Sequence, residues 1–439
     1  MQIFSKGVNA LRRTILMMAI ALMLSGCNVI QPIDELMKPP KLTDEQAEIY
    51  SALEQAAGSR NIAFKYPQSG EYRSAFTFAN IDSDAESEAV VFYEDTVTKS
   101  TTRMCVLDKQ DGQWQAAANT AGAGTEVEFI DFNKTDTGGA SNLIVGWNIP
   151  NRTGGILSVY SFNGGRIDET YSDSYSEFTM FDINSDNKQE LIILSSNSVQ
   201  RKTDIKIVAT SRNNMELAAQ TEIDRNIVEF VSIKKGLLGD NTPAVFVDGY
   251  TDDGSLTTEV FTYHNNKLSV VTQQYFINAD RDSKILCDDI NGDGKIEIPV
   301  TSILPGYGNV QEGEVLYLTE YKSFDGSGFN TVLTAVINEN DGYLVKMPQR
   351  WVGKVTVVNH METGEWRFYK FNRSLEDQSV ELLRIRKYSK NDYQDKFEQE
   401  NYITIGTKGT TEYKAYIIEQ KNEPLAISQK ELEAMFQII

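Results

Sequence analysis

Asp289-Ile-Asn291-Gly-Asp293-Gly-Lys295-Ile-Glu297 puts oxygen-bearing side chains at positions 1, 3, 5 and 9 of a short loop. Alternate side chains of such a turn point inward, and with the carbonyl of Lys295 at position 7 they form a cage for a hard cation. Calcium accepts about six to eight oxygens at about 2.3–2.6 Å in flexible geometry, so it is the expected ion. Gly294 supplies the bend around it. An EF-hand would need a bidentate acid at position 12, where this chain has Val300 inside a β-rich run. The same frame recurs upstream. Asp182, Asn184, Asp186 and Glu190 keep every oxygen, with Asn187 in place of the glycine. Asn80, Asp82, Asp84 and Glu88 begin with an amide and carry Ala85 at the bend. Asp131 and Asn133 open a loop that gains residues before Asn142. Ser232 and Lys234 keep the hydrophobic frame alone, with a lysine that would repel the ion. The alternative is that these are β-turns whose Asp and Asn side chains cap their own backbone.

The first residues of the five loops fall at 80, 131, 182, 232 and 289, a period of about 50. Between them the patterns read as short strands, four to a repeat. In this frame Glu126-VEFIDF closes the first repeat and Lys284-ILCDDI closes the fourth. A period of this length built from strands means a propeller or a solenoid. The expected fold is mainly β: a five-bladed β-propeller, or one of four or six blades, over residues 72–340. The fifth repeat runs one strand short. Tyr72-RSAFTFANI is expected to supply that strand, closing the ring against Asn330–Ile337.

The D-x-N-x-D-G-x-x-E loop between strands, repeated across residues 72–340, resembles the FG-GAP or VCBS repeats of integrin-α-like propellers. That resemblance implies structural calcium. Its ligands would be Asp289, Asn291, Asp293, Lys295 and Glu297; Asp182, Asn184, Asp186 and Glu190; and Asn80, Asp82, Asp84 and Glu88.

Residues 341–439 change character, with strands and two helical patterns that predict a small α+β domain. One helix is expected near Asp392–Gln399 and another after the capping box Ser428-Gln-Lys-Glu431, with Leu432, Met435 and Phe436 on one side. The MPQRW…KVTV opening of this region resembles that of small PsbP-like α/β domains. Upstream, residues 27–71 read as a Pro-rich tether followed by a helix. Its signals are the capping box Thr43-Asp-Glu-Gln46, an apolar face of Ile49, Ala52, Leu53, Ala56 and Ala57, and a stop at Gly58.

Residues 1–26 have the parts of a signal peptide: Lys6, Arg12 and Arg13, then the apolar Thr14–Met23. Leu24-Ser25-Gly26-Cys27 resembles the lipobox of bacterial lipoproteins, which implies lipidation at Cys27 and a membrane partner through that anchor. The implied location is the outer face of the bacterial cytoplasmic membrane. Cys105 and Cys287 are expected to be buried thiols with no disulfide between them.

The formal net charge is −20, and residues 341–439 are balanced at 15 basic and 15 acidic side chains, so the acidity belongs to the repeats. Such a body repels nucleic acid and attracts cations. Only His264 and His360 are present, which removes most zinc sites and His-based triads. No phosphate loop or dinucleotide fingerprint occurs. The function expected is a cell-surface, non-catalytic binding or scaffold module with a protein or glycan partner. The alternatives are an envelope polysaccharide-active enzyme using axial carboxylates, and a structural factor of envelope assembly.

Overall fold

The computed structural model describes residues 43–439 apart from 83, 85, 98–100, 135–139, 151–153, 164–165, 198, 212–213, 224–226, 312, 378–379 and 390–401. Cys27, and the helix expected near Asp392–Gln399, lie outside the described residues.

The chain is mainly β, and its described residues form six antiparallel sheets. Helix α1 (Asp44–Ala57) comes first, with Thr43 and Gln46 forming the capping box and Gly58 ending it in the left-handed region. Sheet I holds β3 (Glu88–Asp95), β4 (Arg103–Gln110) and β5 (Gln113–Ala121), while β1 (Ile62–Lys65) and β2 (Phe76–Ala79) share the edge of β3. Sheet II runs β6 (Glu126–Lys134), β7 (Ser141–Asn148), β8 (Gly155–Asn163), β9 (Arg166–Tyr175). Sheet III runs β10 (Glu177–Phe181), β11 (Glu190–Asn197), β12 (Lys202–Ser211), β13 (Asn214–Ile223). Sheet IV runs β14 (Ile227–Leu237), β15 (Pro243–Thr251), β16 (Leu256–His264), β17 (Lys267–Val270), after which the short α2 (Val271–Gln274) turns the chain away. Sheet V contains β18 (Ile298–Ile303), β19 (Tyr317–Phe324), β20 (Phe329–Asn338) and β21 (Tyr343–Lys346). Sheet VI contains β22 (Val355–His360), β23 (Glu365–Lys370), β24 (Val380–Ser389), β25 (Ile403–Lys408) and β26 (Thr411–Ile417), with β26 between β24 and β25. Helix α3 (Gln429–Met435) then leads into β27 (Phe436–Ile438), which pairs with β21 and so belongs to sheet V.

Successive sheets share cores face to face, which explains the apolar runs in their second strands. In β3, Val90 and Phe92 meet Val127, Val145 and Trp147 of sheet II, whereas Ala89, Val91 and Tyr93 meet Ile49 and Leu53 of α1. A strand buried on both faces has no polar face to alternate. Sheet II meets III through Phe129, Ile144 and Tyr175 against Leu191, Ile193 and Met215. Sheet III meets IV, IV meets V, and V meets VI in the same manner.

Several expectations need correction. The strand frame is displaced by one: Glu126–Lys134 opens sheet II by pairing with β7 and does not close sheet I. Residues 284–290 form no strand: α2 ends sheet IV, and within this segment the pairing is the isolated bridge Asp288↔Glu297. The segment at Phe76–Ala79 does not close a ring against sheet V. It pairs with Glu88–Val91 in its own sheet. The two outer faces that a closed ring would press together are covered instead, by α1 on sheet I and by sheet VI on sheet V. The division at 340/341 cuts sheet V, whose β21 and β27 both lie beyond it. Phe436 is strand, not helix.

Candidate metal centre

Three of the acidic loops have one construction. The residue before each loop pairs with the glutamate at position 9: Ala79↔Glu88, Phe181↔Glu190 and Asp288↔Glu297. In the first two the loop is therefore a hairpin connection inside one sheet, not a link between sheets. Each glutamate is turned back into its loop by the backbone N–H of the isoleucine at position 2. Ile81 N donates to Glu88 Oε2 at 2.7 Å, Ile183 N to Glu190 Oε2 at 3.2 Å, and Ile290 N to Glu297 Oε2 at 3.2 Å.

The left-handed bends fall at positions 4 and 6. Gly292 and Gly294 hold φ of 78° and 82°, and Ser185 and Asn187 hold 62° and 67°. Gly294 was legible as the bend; Gly292 and its counterpart Ser185 were not, although a D-x-N-G-D-G string displays both glycines. Side chains at φ > 0 cost energy that glycine avoids.

The aspartate at position 1 caps the turn. Asp289 accepts from the N–H groups of Gly292 (2.8 Å), Asp293 (3.0 Å) and Gly294 (2.8 Å), and Asp182 accepts from those of Asp186 and Asn187. A turn needs nothing more, yet each loop also buries a glutamate. Glu88, Glu190 and Glu297 are 0%, 1% and 0% exposed. Burial, with the neighbouring aspartates adding to it, pushes the carboxyl of each up to about 7 against the pull of the isoleucine N–H. Oε1 of Glu88 and Oε1 of Glu297 are buried with no partner at hydrogen-bond distance, the Ser323 hydroxyl being a weaker neighbour of the latter. A buried carboxylate oxygen without a partner is costly, and a cation removes the cost.

Asp82, Asp84 and Glu88 offer oxygens that all lie within 4.8 Å of one another. The loop with the poorest sequence match thus has the closest acid grouping, because it alone carries acids at positions 3, 5 and 9. In the other two, the position-3 amide donates to the acids: Asn184 bridges two carboxylates and Asn291 reaches one. Asn184 Nδ2 donates to Glu190 Oε1 (3.0 Å) and Asp186 Oδ2 (3.3 Å), and Asn291 Nδ2 to Asp293 Oδ2 (3.1 Å). The Lys295 ammonium is drawn off to Asn241 Oδ1, which leaves its carbonyl as the contribution to a cage. The donor set is all oxygen, as calcium requires.

Asp131 and Asn133 lie within β6, and Asn133 Nδ2 donates to Gln189 O (3.0 Å) in the adjoining loop. Ser232 and Lys234 are in β14, where Lys234 pairs with Asp288 at 2.7 Å. Asp131, Asn133, Ser232 and Lys234 are thus strand residues, so the long strands explain the lost pattern.

A network that sequence reasoning missed carries the chain into the 289 loop. Asp248 and Arg281 form a wholly buried ion pair at 2.8 Å. Thr258 Oγ1 accepts from Arg281 and donates to Asp248, and the Cys287 N–H and thiol both donate to Asp248 Oδ2. Arg281 also donates to the carbonyls of Ala279 and Ile285. Isolated charged residues in a sequence carry no sign of this pairing.

No protein-family profile matches the chain, and no curated protein is similar to it. Among solved structures, the chain is similar to rhamnogalacturonan lyase YesW at 12% identity and a TM-score of 0.30, over 66% of each chain. It spans about two thirds of that enzyme's length. Rhamnogalacturonan lyase PL11 of Bacillus licheniformis is 9% identical with a TM-score of 0.30, covering 74% of this chain and 71% of that one. Sqt1 of Saccharomyces cerevisiae is 14% identical with a TM-score of 0.26, covering 76% and 85%. Likeness of this degree supports no conclusion about activity. Among the described residues, no helix is long and apolar enough to cross a membrane.

Proposed function

We propose that this chain is a lipid-anchored, non-catalytic binding module whose sheets act as the blades of an open propeller-like arc, fastened by calcium in the loops of FG-GAP type at 80–88, 182–190 and 289–297. The observation that carries the reading is the buried glutamate at position 9, which a plain turn does not need and which has no ion pair among the described residues. The metal is structural: it neutralises the clustered carboxylates and fixes the strand entry beside each loop. Affinity in the range typical of extracellular modules, roughly 10⁻⁴–10⁻³ M, follows from the exposed side of each loop. The lipobox-like segment ending at Cys27 supplies the anchor, and so places the module on the outer face of the cytoplasmic membrane.

Thermal melting with and without chelator tests the calcium reading. EGTA lowers the melting temperature, and Asp293→Ala shrinks the calcium-dependent shift. An unchanged wild-type curve refutes bound calcium. Cys27→Ser releases the protein from the membrane fraction if the anchor is correct.

A further inference from the structure

A pocket of about 310 Å³ opens between sheets II and III, and none of the oxygen-bearing loop residues lines it. Glu128, Phe129, Gly155, Tyr175, Glu177 and Phe178 line it. Its construction starts with a β-bulge in β6, where the pairing steps from Val127↔Trp147 to Phe129↔Gly146 and leaves Glu128 unpaired. A bulge re-aims its side chain, and the N–H groups of Gln68 and Ser69 hold this one by donating to the Glu128 carbonyl. Phe129 stacks on Phe178 at 4.2 Å between centroids, with Tyr175 edge-on to both. Gly146 makes the room: a Cβ there would collide with the Phe129 ring.

Tyr175 is 9% exposed, and among the described residues its hydroxyl has no hydrogen-bond partner. Glu128, Tyr175 and Glu177 line the same pocket, and burial first, then the charges of the two glutamates, push the phenol up. Neither glutamate has an ion pair among the described residues. Two carboxylates and a phenol fall short of the six or more oxygens that calcium takes. They match the three N–H donors of an ammonium. A second recess of about 520 Å³ shares Ser69, Phe129 and Phe178 with the first and leads past Tyr72 to Asp131, giving the rest of a molecule a path.

We propose that this pocket binds the protonated primary amine of a small molecule, carried on an aliphatic diamine or on an amino sugar. The inference rests on the binding reading above in one respect, that the chain holds ligands without cleaving them; it does not require calcium.

The test is isothermal titration of the full chain, in EGTA and in calcium, with 1,5-diaminopentane, glucosamine and N-acetylglucosamine. An amine is expected to bind with Kd below about 1 mM, and the acetylated sugar far more weakly. The tighter of the two amines identifies the source. Glu128→Gln and Glu177→Gln each weaken binding by about tenfold or more, and Tyr175→Phe by less. Glu222→Gln, at an exposed pair with Lys202, leaves it unchanged. The inference falls if neither amine binds, if the acetylated sugar binds as well, or if folded glutamine variants bind like wild type. Amine binding that persists when calcium no longer shifts the melting curve removes the calcium reading alone. A calcium shift without amine binding removes this one alone.

Discussion

Replacing Glu88 by glutamine separates a metal ligand from a structural carboxylate. In the calcium-free protein, Glu88 is buried beside Asp82 and Asp84, and its carboxyl rises from 4.5 to about 7. A carboxylate raised in the folded state holds its proton more tightly there than in the unfolded chain. Its stability is complete below the unfolded value and is lost as pH climbs through about 7. The rise corresponds to about 3 kcal/mol at pH 8, and screening on the open side of the loop lowers this to about 1–2 kcal/mol. The substituted amide retains an oxygen for the Ile81 N–H and turns an N–H₂ toward the aspartates. In EGTA at pH 8, Glu88→Gln therefore raises the melting temperature, by about 2–4 °C, and flattens the decline between pH 5 and 8. In calcium the variant's advantage is offset. At about 10 mM ion, one site contributes about 1.4–2.7 kcal/mol for Kd of roughly 10⁻³–10⁻⁴ M, and the variant loses that share. Calorimetric melting across pH, with and without calcium, measures both halves. A variant less stable than wild type in EGTA, or one with the full calcium shift, refutes the reasoning.

Arg281→Met leaves Asp248 buried without its partner and costs about 3–5 kcal/mol in denaturant melts, whereas Arg281→Met with Asp248→Leu recovers much of the loss. Ser185→Gly relieves a left-handed serine and adds about 0.5–1 kcal/mol, seen as a higher melting temperature; no gain would mean that the bend at 185 is unstrained.

The sequence made the strands and the loop ligands legible for a physical reason. Runs such as Glu88–Asp95 and Glu190–Asn197 are apolar on both faces because each lies between two layers, and oxygen at every second position marks a cage whatever surrounds it. Both capping boxes were equally plain, since their partners lie three residues apart. Connection between sheets was not legible. The 50-residue period fixes the repeat but not where one sheet ends and the next begins, so β6 was joined to the wrong neighbour. Ring closure failed as an inference because an unpaired strand in a sequence does not reveal its edge, and β3 offered one nearer than sheet V. Asp248 meets Arg281, and Glu128 and Glu177 come to line one pocket, only through folding at separations that no local pattern encodes.

The pairing of Val345 with Phe436 joins residues about 90 positions apart. Sheets I to IV draw on neighbouring segments and can assemble as soon as each has emerged from the ribosome. Sheet V has to wait for sheet VI and α3 before β27 arrives, and until then the outer side of β21 offers unpaired N–H and C=O groups to any passing strand. A product cut short before Phe436 would carry that sticky border permanently, so aggregation of shortened chains is built into the way this polypeptide ends its path.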